Sequence, residues 1–117
     1  MSQAILGLWL LENEFCRDDY LLATLVNITS VPTTPNIPYD QACIVQAGQH
    51  PFVVYDSFVA YRYIRIEAIA HLAQMISLGQ WKSYHAPASS SLLLRMVAGV
   101  CMSKLVNREF KKIFACP

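Results

Sequence analysis

The sequence predicts a small α+β domain in which β-strands come first and helices follow. Apolar runs and a strand of period two dominate residues 1–66, whereas residues 67–79 repeat apolar side chains at the three- and four-residue spacing of a helix. Serines at 89–91 offer N-caps for a C-terminal helix over residues 89–113. At 117 residues, the chain is a single domain that is long enough to bury a core.

Four strands are predicted before the first helix, at residues 5–11, 20–28, 42–46 and 57–66. Residues 13–19 are a polar, acidic connection between the first two strands. Residues 31–40 carry three prolines, which lack the amide donor that a sheet needs, so they form a loop or an extended edge.

The fourth strand and the helix after it show the clearest periodicity. Strand alternation places Phe58, Ala60, Arg62 and Ile64 on one face and Val59, Tyr61, Tyr63 and Arg65 on the other. Gly79 lies where a C-cap glycine ends a helix. Residues 57–79 are therefore expected to form a strand that is followed directly by a helix.

The composition is apolar and excludes a membrane span. Hydrophobic residues make up 55% of the chain and charged residues 15%, an excess that suggests a homodimer interface. The longest apolar runs, residues 4–11 and 21–26, are far shorter than the ~20 residues that cross a bilayer. No Lys or Arg precedes Arg17, so a secretory signal is not expected and cytoplasmic residence is predicted.

Charge is separated along the chain. Residues 1–60 carry six acidic and one basic side chain, whereas residues 61–117 carry two acidic and eight basic side chains. This separation either creates a basic face or is neutralised when the two halves fold together.

The four cysteines, at positions 16, 43, 101 and 116, have no Cys-x-x-Cys or metal-ligand spacing, and free, mostly buried thiols are predicted. No pattern calls for a metal ion or an organic cofactor. Two interpretations of Cys43 remain, a core thiol or a nucleophile activated by His50.

A turn at residues 48–51 interrupts an apolar run and carries a histidine. Gly48 can adopt a positive φ, and Pro51 biases His50 toward extended geometry. We therefore expect the turn to present His50 rather than bury it. The competing interpretation is a structural histidine bonded to neighbouring backbone groups.

Several of these segments resemble the MazF/PemK family of toxins. The resemblance covers residues 8–78 and lies in a strand that ends in Thr29-Ser30, in residues 43–48, and in the strand from Ser57 that leads to a helix near residue 67. The turn at 48–53 is also similar to a Gly-x-His-Pro-Phe turn of uncharacterised bacterial proteins. The resemblance implies an SH3-like β-barrel, a homodimer, endoribonuclease activity and a cognate antitoxin.

The residues expected to act in catalysis are Thr29, Arg62 and His50, of which the resemblance implies only the hydroxyl residue; the residue types that RNA cleavage needs add His50 and a cation, Arg62 or Arg65. Thr29 or Ser30 matches the family's hydroxyl residue near the scissile phosphate, but residues 12–19 hold only Arg17 and lack the family's Arg-Pro. Metal-independent cleavage at a 2′-hydroxyl needs a base, a cation and an acid, so His50 is expected to act in proton transfer. The residues expected to bind single-stranded RNA are Ser30, Arg65, Tyr61 and Tyr63.

Two classes of function are consistent with these residues. The first is the ribonuclease toxin of a toxin–antitoxin pair, or a degraded relative. The second is a non-catalytic module that binds protein or RNA through residues 81–85 and the basic C-terminal helix. In the second class, Arg62 would pair with a carboxylate such as Asp56, Asp40 or Glu67, and the tyrosines would pack within the sheet.

Overall fold

The computed structural model describes residues 9–10, 15–17, 20–80 and 88–117. Its strands are β1 (Trp9–Leu10), β2 (Phe15–Arg17), β3 (Tyr20–Ser30), β4 (Ile44–Val45) and β5 (Ser57–Ala68). Its helices are α1 (Ile69–Ser77), α2 (Ser90–Met102) and α3 (Arg108–Ile113). The α+β class and the order of strands before helices are thus confirmed. No described helix is long and apolar enough to cross a membrane.

The strands form one open antiparallel sheet. Its order is β1-β3-β5-β4, and β2 pairs with a different part of β3 from β1. β4 pairs only with the start of β5, so the described sheet is three strands wide at any level. The two outer edges do not pair within these residues, and the expected closed barrel is therefore wrong.

The predicted strands are recovered with shifted bounds. Of the strand predicted over residues 5–11, the structure describes only β1, and residues 5–8 and 11 lie outside the described part of the chain. β2 lies inside the stretch predicted as a polar connection, because Phe15–Arg17 pairs with the start of β3 although acidic residues flank it. β3 and β5 each extend two residues beyond the predicted end, whereas β4 keeps two of five predicted residues.

A large irregularity interrupts the pairing of β3 with β5. Leu25 pairs with Arg65 and Asn27 pairs with Ala60, so two steps along β3 match five along β5. Extra residues in one strand of a pair bend it and re-aim its side chains. The predicted alternation therefore fails here, because Arg62 and Tyr63 are both exposed although they are consecutive.

The hydrophobic core lies between the sheet and α2. It contains Val26, Ile28, Cys43, Val45, Val53, Val59, Tyr61, Leu92, Met96, Val100 and Val106. Leu92, Met96 and Val100 recur every four residues, so they form one stripe along α2 that packs against the sheet.

Tyr61 and Gly99 fix how closely α2 approaches β5. The Tyr61 ring is fully buried, and its hydroxyl donates a hydrogen bond to the Met96 carbonyl at 2.5 Å. A Cβ placed on Gly99 would overlap that hydroxyl and lie 2.6 Å from Tyr61 Cζ. The close packing of α2 on Tyr61 therefore requires a residue without a Cβ at position 99.

The helix predicted over 67–79 is confirmed as α1, with a later start because β5 continues to Ala68. Gly79 has φ 74°, its amide donates to Ile76 and the Gln80 amide donates to Met75. These are the two hydrogen bonds of a Schellman C-cap, as the glycine predicted.

The predicted C-terminal helix over 89–113 is two helices. Ser89 caps α2 as expected, since its Oγ accepts from the Leu92 amide at 3.2 Å. The backbone becomes extended at Ser103, with ψ 133°, and α3 begins only after Asn107, whose side chain accepts from the Phe110 amide. The break follows because the Ser103 hydroxyl is held by groups outside the helix.

The cysteine prediction is wrong for two of the four residues. Cys101, in the last turn of α2, forms a disulfide with Cys116, which follows α3. Cys43 is a free, buried thiol, as predicted. The side chain of Cys16 lies outside the described residues. The pairing depends on the turn between α2 and α3, which a single predicted helix does not contain.

Candidate functional site

An open groove of about 750 Å³ lies between the β3–β5 sheet, the proline-rich loop after β3, and the turn after α2. Its hydroxyl groups come from Thr29, Ser30 and Ser103, its aromatic rings from Tyr39, Phe58 and Tyr63, and its charges from Asp40, Arg62 and Lys104. Apolar side chains, among them Met102 and Leu105, supply much of the rest. Grooves of this size and mixed lining are typical of ligand-binding sites.

The two basic residues of the groove are exposed. Arg62 lies on the irregular part of β5, and Lys104 lies in the turn that follows α2. The ion pairs of the described residues both involve Glu67, so neither Arg62 nor Lys104 is neutralised by a described carboxylate. The salt bridge proposed for Arg62 with an acidic residue is thus not formed among these residues.

Aromatic faces lie beside these charges. The Arg62 guanidinium carbon lies 5.4 Å from the centroid of the Tyr63 ring, and Tyr63 is 57% exposed. Tyr39 and Phe58 form a second ring pair, with centroids 5.1 Å apart and planes tilted by 39°. An arginine stacked on an exposed ring presents a cation and a flat apolar face together.

Asp40 holds the base of the groove together. One of its carboxylate oxygens accepts from the Ala42 amide at 3.0 Å, and the other accepts from the Ser103 hydroxyl at 2.5 Å. Ser103 Oγ in turn accepts from the Leu105 amide at 3.1 Å. Through these two hydrogen bonds, Asp40 positions the turn after α2 against the loop that follows β3.

Four of the seven predicted site residues line this groove, namely Thr29, Ser30, Arg62 and Tyr63. Thr29 and Ser30 are exposed at the end of β3, where they pair with the start of β5. The irregularity in β5 brings Arg62 and Tyr63 to the same side as these hydroxyls. Strand alternation alone would have separated the two side chains.

His50 does not line the groove. It is only 3% exposed, and its Nδ1 accepts from the Phe52 amide at 3.1 Å, while its ring stacks on Phe52. The expectation that the turn presents His50 is therefore wrong. Gly48 takes a positive φ as predicted, but the hydrogen bonds Gly48 N to Val53 O and Val53 N to His50 O fold the turn inward.

Tyr61 and Arg65 also lie away from the groove. Tyr61 is a core residue, and burial, reinforced by Cys43, raises the pKa of its hydroxyl far above the usual range. Its predicted role as a base-stacking ring is therefore wrong. Arg65 lies beyond the irregularity in β5, with its Nε 3.4 Å from Glu67 Oε1.

Of the two interpretations of Cys43, the structure agrees with the core thiol. Burial raises the pKa of its thiol, and the opposing charge of Arg95 does not reverse this effect. Its polar neighbours are Arg95, Tyr61 and Asp40, and not His50. A buried thiol with a raised pKa is inert at neutral pH.

Sequence reasoning missed Tyr39, Asp40, Ser103 and Lys104. The single helix predicted over residues 89–113 includes Lys104, whereas the structure places this residue in the turn between α2 and α3. The prolines at 32 and 38, which line the groove, were a usable signal that their loop folds over the sheet. The predicted binding edge at residues 81–85 lies outside the described residues.

Neither a metal-ligand cluster among the described residues nor a match to a known protein indicates what the chain does. Within the described part of the chain, no group of three His, Cys, Asp or Glu side chains is placed to hold a metal ion. No protein-family model, curated protein or solved structure matches the chain. The MazF/PemK resemblance therefore remains a prediction.

Proposed function

We propose that the protein is a binding module for single-stranded RNA, and that the groove between β3, β5 and the turn after α2 is its binding site. The observation that carries this proposal is the stacked pair of Arg62 and Tyr63, which are both exposed on the irregular part of β5. Lys104 adds a second cation on the opposite wall of the same groove.

The chemistry of the groove fits an unpaired strand. Arg62 and Lys104 can neutralise phosphates, and bases can stack on Tyr63 and on the Tyr39–Phe58 pair. Thr29 and Ser30 provide hydroxyls that can hydrogen-bond a 2′-OH. A groove of about 750 Å³ holds on the order of two nucleotides, since it matches the volume of a drug-sized ligand site.

The same groove supports a second candidate, a MazF/PemK-like ribonuclease toxin with a cognate antitoxin. Thr29 and Arg62, two of the three predicted catalytic residues, lie together there. The third, His50, is buried and bonded to the Phe52 amide, and the described groove lining includes no imidazole. We therefore favour binding without cleavage over catalysis.

The test is the affinity of the purified protein for a fluorescein-labelled 12-nucleotide RNA, measured by anisotropy in EDTA. Tyr63→Ala should raise Kd about tenfold, because losing one stacked base costs about 1–3 kcal/mol. Arg62→Ala and Lys104→Ala should each weaken binding and reduce the slope of log K against log salt by about 0.7.

The chain offers a matched control for each variant. Tyr55→Ala, Arg108→Ala and Lys112→Ala replace exposed residues of the same types that do not line the groove. If these controls weaken binding as much as the groove variants do, the groove is not the binding site.

Cleavage is tested in parallel on a long, weakly structured RNA. Binding without fragments supports the proposed module. Discrete fragments that disappear in both Thr29→Val and His50→Asn, with binding retained, would instead support the ribonuclease. The asparagine keeps a hydrogen-bond acceptor near the Phe52 amide and so limits damage to the turn.

Homodimerisation and the compartment remain proposals. The apolar excess favours a homodimer, which sedimentation equilibrium tests directly. Cytoplasmic residence was predicted from the N-terminal sequence, whereas a disulfide is more typical of an oxidising compartment. Alkylating thiols during lysis, followed by a non-reducing gel, shows which state the protein holds in its cell.

A further inference from the structure

The Cys101–Cys116 disulfide lies next to the groove in the chain. Cys101 immediately precedes Met102, and residues 102–105 line the groove. Cys116 lies beyond α3, so the bond links the start of the groove-lining turn to the end of the C-terminal segment, residues 104–117. A change in this bond therefore acts first on the turn that carries Lys104 and Leu105.

Among the described residues, apolar side chains also attach the C-terminal segment to the core. Val106 is buried in the core, and Phe110 and Phe114 pack partly buried against it. α3 has six residues, far fewer than an isolated helix needs to be stable in water. Ala115, which follows the C-cap Phe114, takes φ 52°, a conformation that disfavours a residue with a Cβ. The covalent link therefore adds to these contacts in holding a segment whose helix is short.

Hydrogen bonds connect this segment to the groove. The Leu105 amide donates to Ser103 Oγ, and Ser103 donates to Asp40. Lys104 lies between Ser103 and Leu105, so the same turn sets its position. Release of the C-terminal segment would therefore disturb the wall of the groove that carries its second cation.

We propose that the Cys101–Cys116 disulfide is a redox-controlled clasp on the groove, and this inference rests on the proposed RNA binding. With the bond intact, the turn holds Lys104 and Leu105 in the binding arrangement. Reduction frees residues 104–117, and the affinity for single-stranded RNA falls.

The chemistry is thiol–disulfide exchange with a cellular dithiol. A thiolate of the dithiol attacks one sulfur of the Cys101–Cys116 bond, and its second thiol then displaces the protein sulfur from the mixed disulfide. Two electrons and two protons pass to the protein thiols, and the dithiol becomes a disulfide. Re-formation of the bond takes the same two electrons to a small-molecule disulfide such as oxidised glutathione.

Burial favours selective reaction at this pair. Cys101 and Cys116 are partly exposed, whereas Cys43 is 4% exposed and has a raised thiol pKa. A dithiol reduces the disulfide and does not react with a free thiol. When a small-molecule disulfide restores the bond, it should therefore react with Cys101 and Cys116 and leave Cys43 unchanged.

Two readouts test the inference, the Kd for the 12-nucleotide RNA and hydrogen exchange at the Leu105 amide, each with and without dithiothreitol. Reduction should speed exchange at Leu105 and raise Kd about tenfold, as when about a tenth of the molecules remain competent to bind. The amide of Gly48 donates to the Val53 carbonyl, in a turn that is distant in sequence from the disulfide. It should exchange equally slowly in both states, which shows that the core stays folded.

The variant Cys101→Ser/Cys116→Ser should show the Kd and the Leu105 exchange rate of the reduced wild type, and dithiothreitol should change neither value. Unchanged exchange at Leu105, or faster exchange with unchanged Kd, overturns the inference. If the oxidised protein does not bind RNA at all, the proposed function fails, and faster exchange at Leu105 on reduction would still support the clasp as a switch of the turn.

Discussion

Replacing Gly99 with alanine should destabilise the protein, which is the opposite of the usual effect in a helix. Alanine is normally about 1 kcal/mol better than glycine inside a helix. Here the new Cβ would overlap the Tyr61 hydroxyl and lie 2.6 Å from Cζ of the same buried ring. Overpacking of a core costs about 1–3 kcal/mol, and the displaced Tyr61–Met96 hydrogen bond costs about 1 kcal/mol more. After the helix gain is subtracted, we expect a net loss of about 2 kcal/mol.

Urea unfolding followed by far-UV circular dichroism measures this loss as a lower transition midpoint with an unchanged slope. Ala98→Gly, one residue earlier on the exposed side of α2, is the matched control and should also destabilise, by about 1 kcal/mol. Glycine is thus the worse residue at 98 and the better one at 99. If Gly99→Ala raises the midpoint, Tyr61 does not pack beneath the helix and the described core is incorrect.

The contact should also appear as a coupling between Gly99 and Tyr61. Tyr61→Phe alone should cost about 1 kcal/mol, because the hydrogen bond to the Met96 carbonyl is lost. The double variant loses that hydrogen bond only once, so the two effects should fall short of additivity by about 1 kcal/mol. Full additivity would contradict a direct contact.

Two further predictions concern stability elsewhere. Ala115→Gly should stabilise the protein by about 1 kcal/mol in urea unfolding, because φ 52° directly after the C-cap Phe114 favours glycine; no gain would mean that the Cys116 amide does not bond the Lys111 carbonyl to close the helix end. Alkaline pH should destabilise the fold, because burial raises the native pKa of Cys43 and Tyr61 above their ordinary values of 9.0 and 10.0. Groups of this kind contribute fully below the unfolded pKa and lose that contribution as the pH rises from there through the raised native pKa, so the urea midpoint should fall above about pH 9. A midpoint that is flat to pH 11 would contradict the burial of both groups.

The sequence was informative wherever local chemistry decides the structure. Gly79 predicted the end of α1, Ser89 predicted the start of α2, and the prolines after β3 predicted a loop. Each of these signals acts over a few residues, through a φ preference or a side chain that bonds its own backbone. Thr29, Ser30, Arg62 and Tyr63, which the sequence suggested for catalysis or RNA binding, line the groove, and their roles stay predictions.

Features that depend on distant contacts were predicted poorly. The irregularity in β5 arises from its pairing with β3, so alternation could not reveal that Tyr61 is buried while Arg62 and Tyr63 are exposed. His50 carries the pattern of a presented turn, but the cross-turn hydrogen bonds of Gly48 and Val53 bury it. The disulfide requires the break at Ser103, whose hydroxyl bonds Asp40, more than sixty positions earlier in the chain.

The most direct test of the central claim is the Kd of Arg62→Ala for the 12-nucleotide RNA at several salt concentrations, beside the matched variant Arg108→Ala. We predict weaker binding and a salt slope smaller by about 0.7 for Arg62→Ala, with wild-type values for Arg108→Ala. Equal behaviour of the two variants, or no measurable binding by the oxidised wild-type protein, would contradict the assignment of the groove as an RNA-binding site.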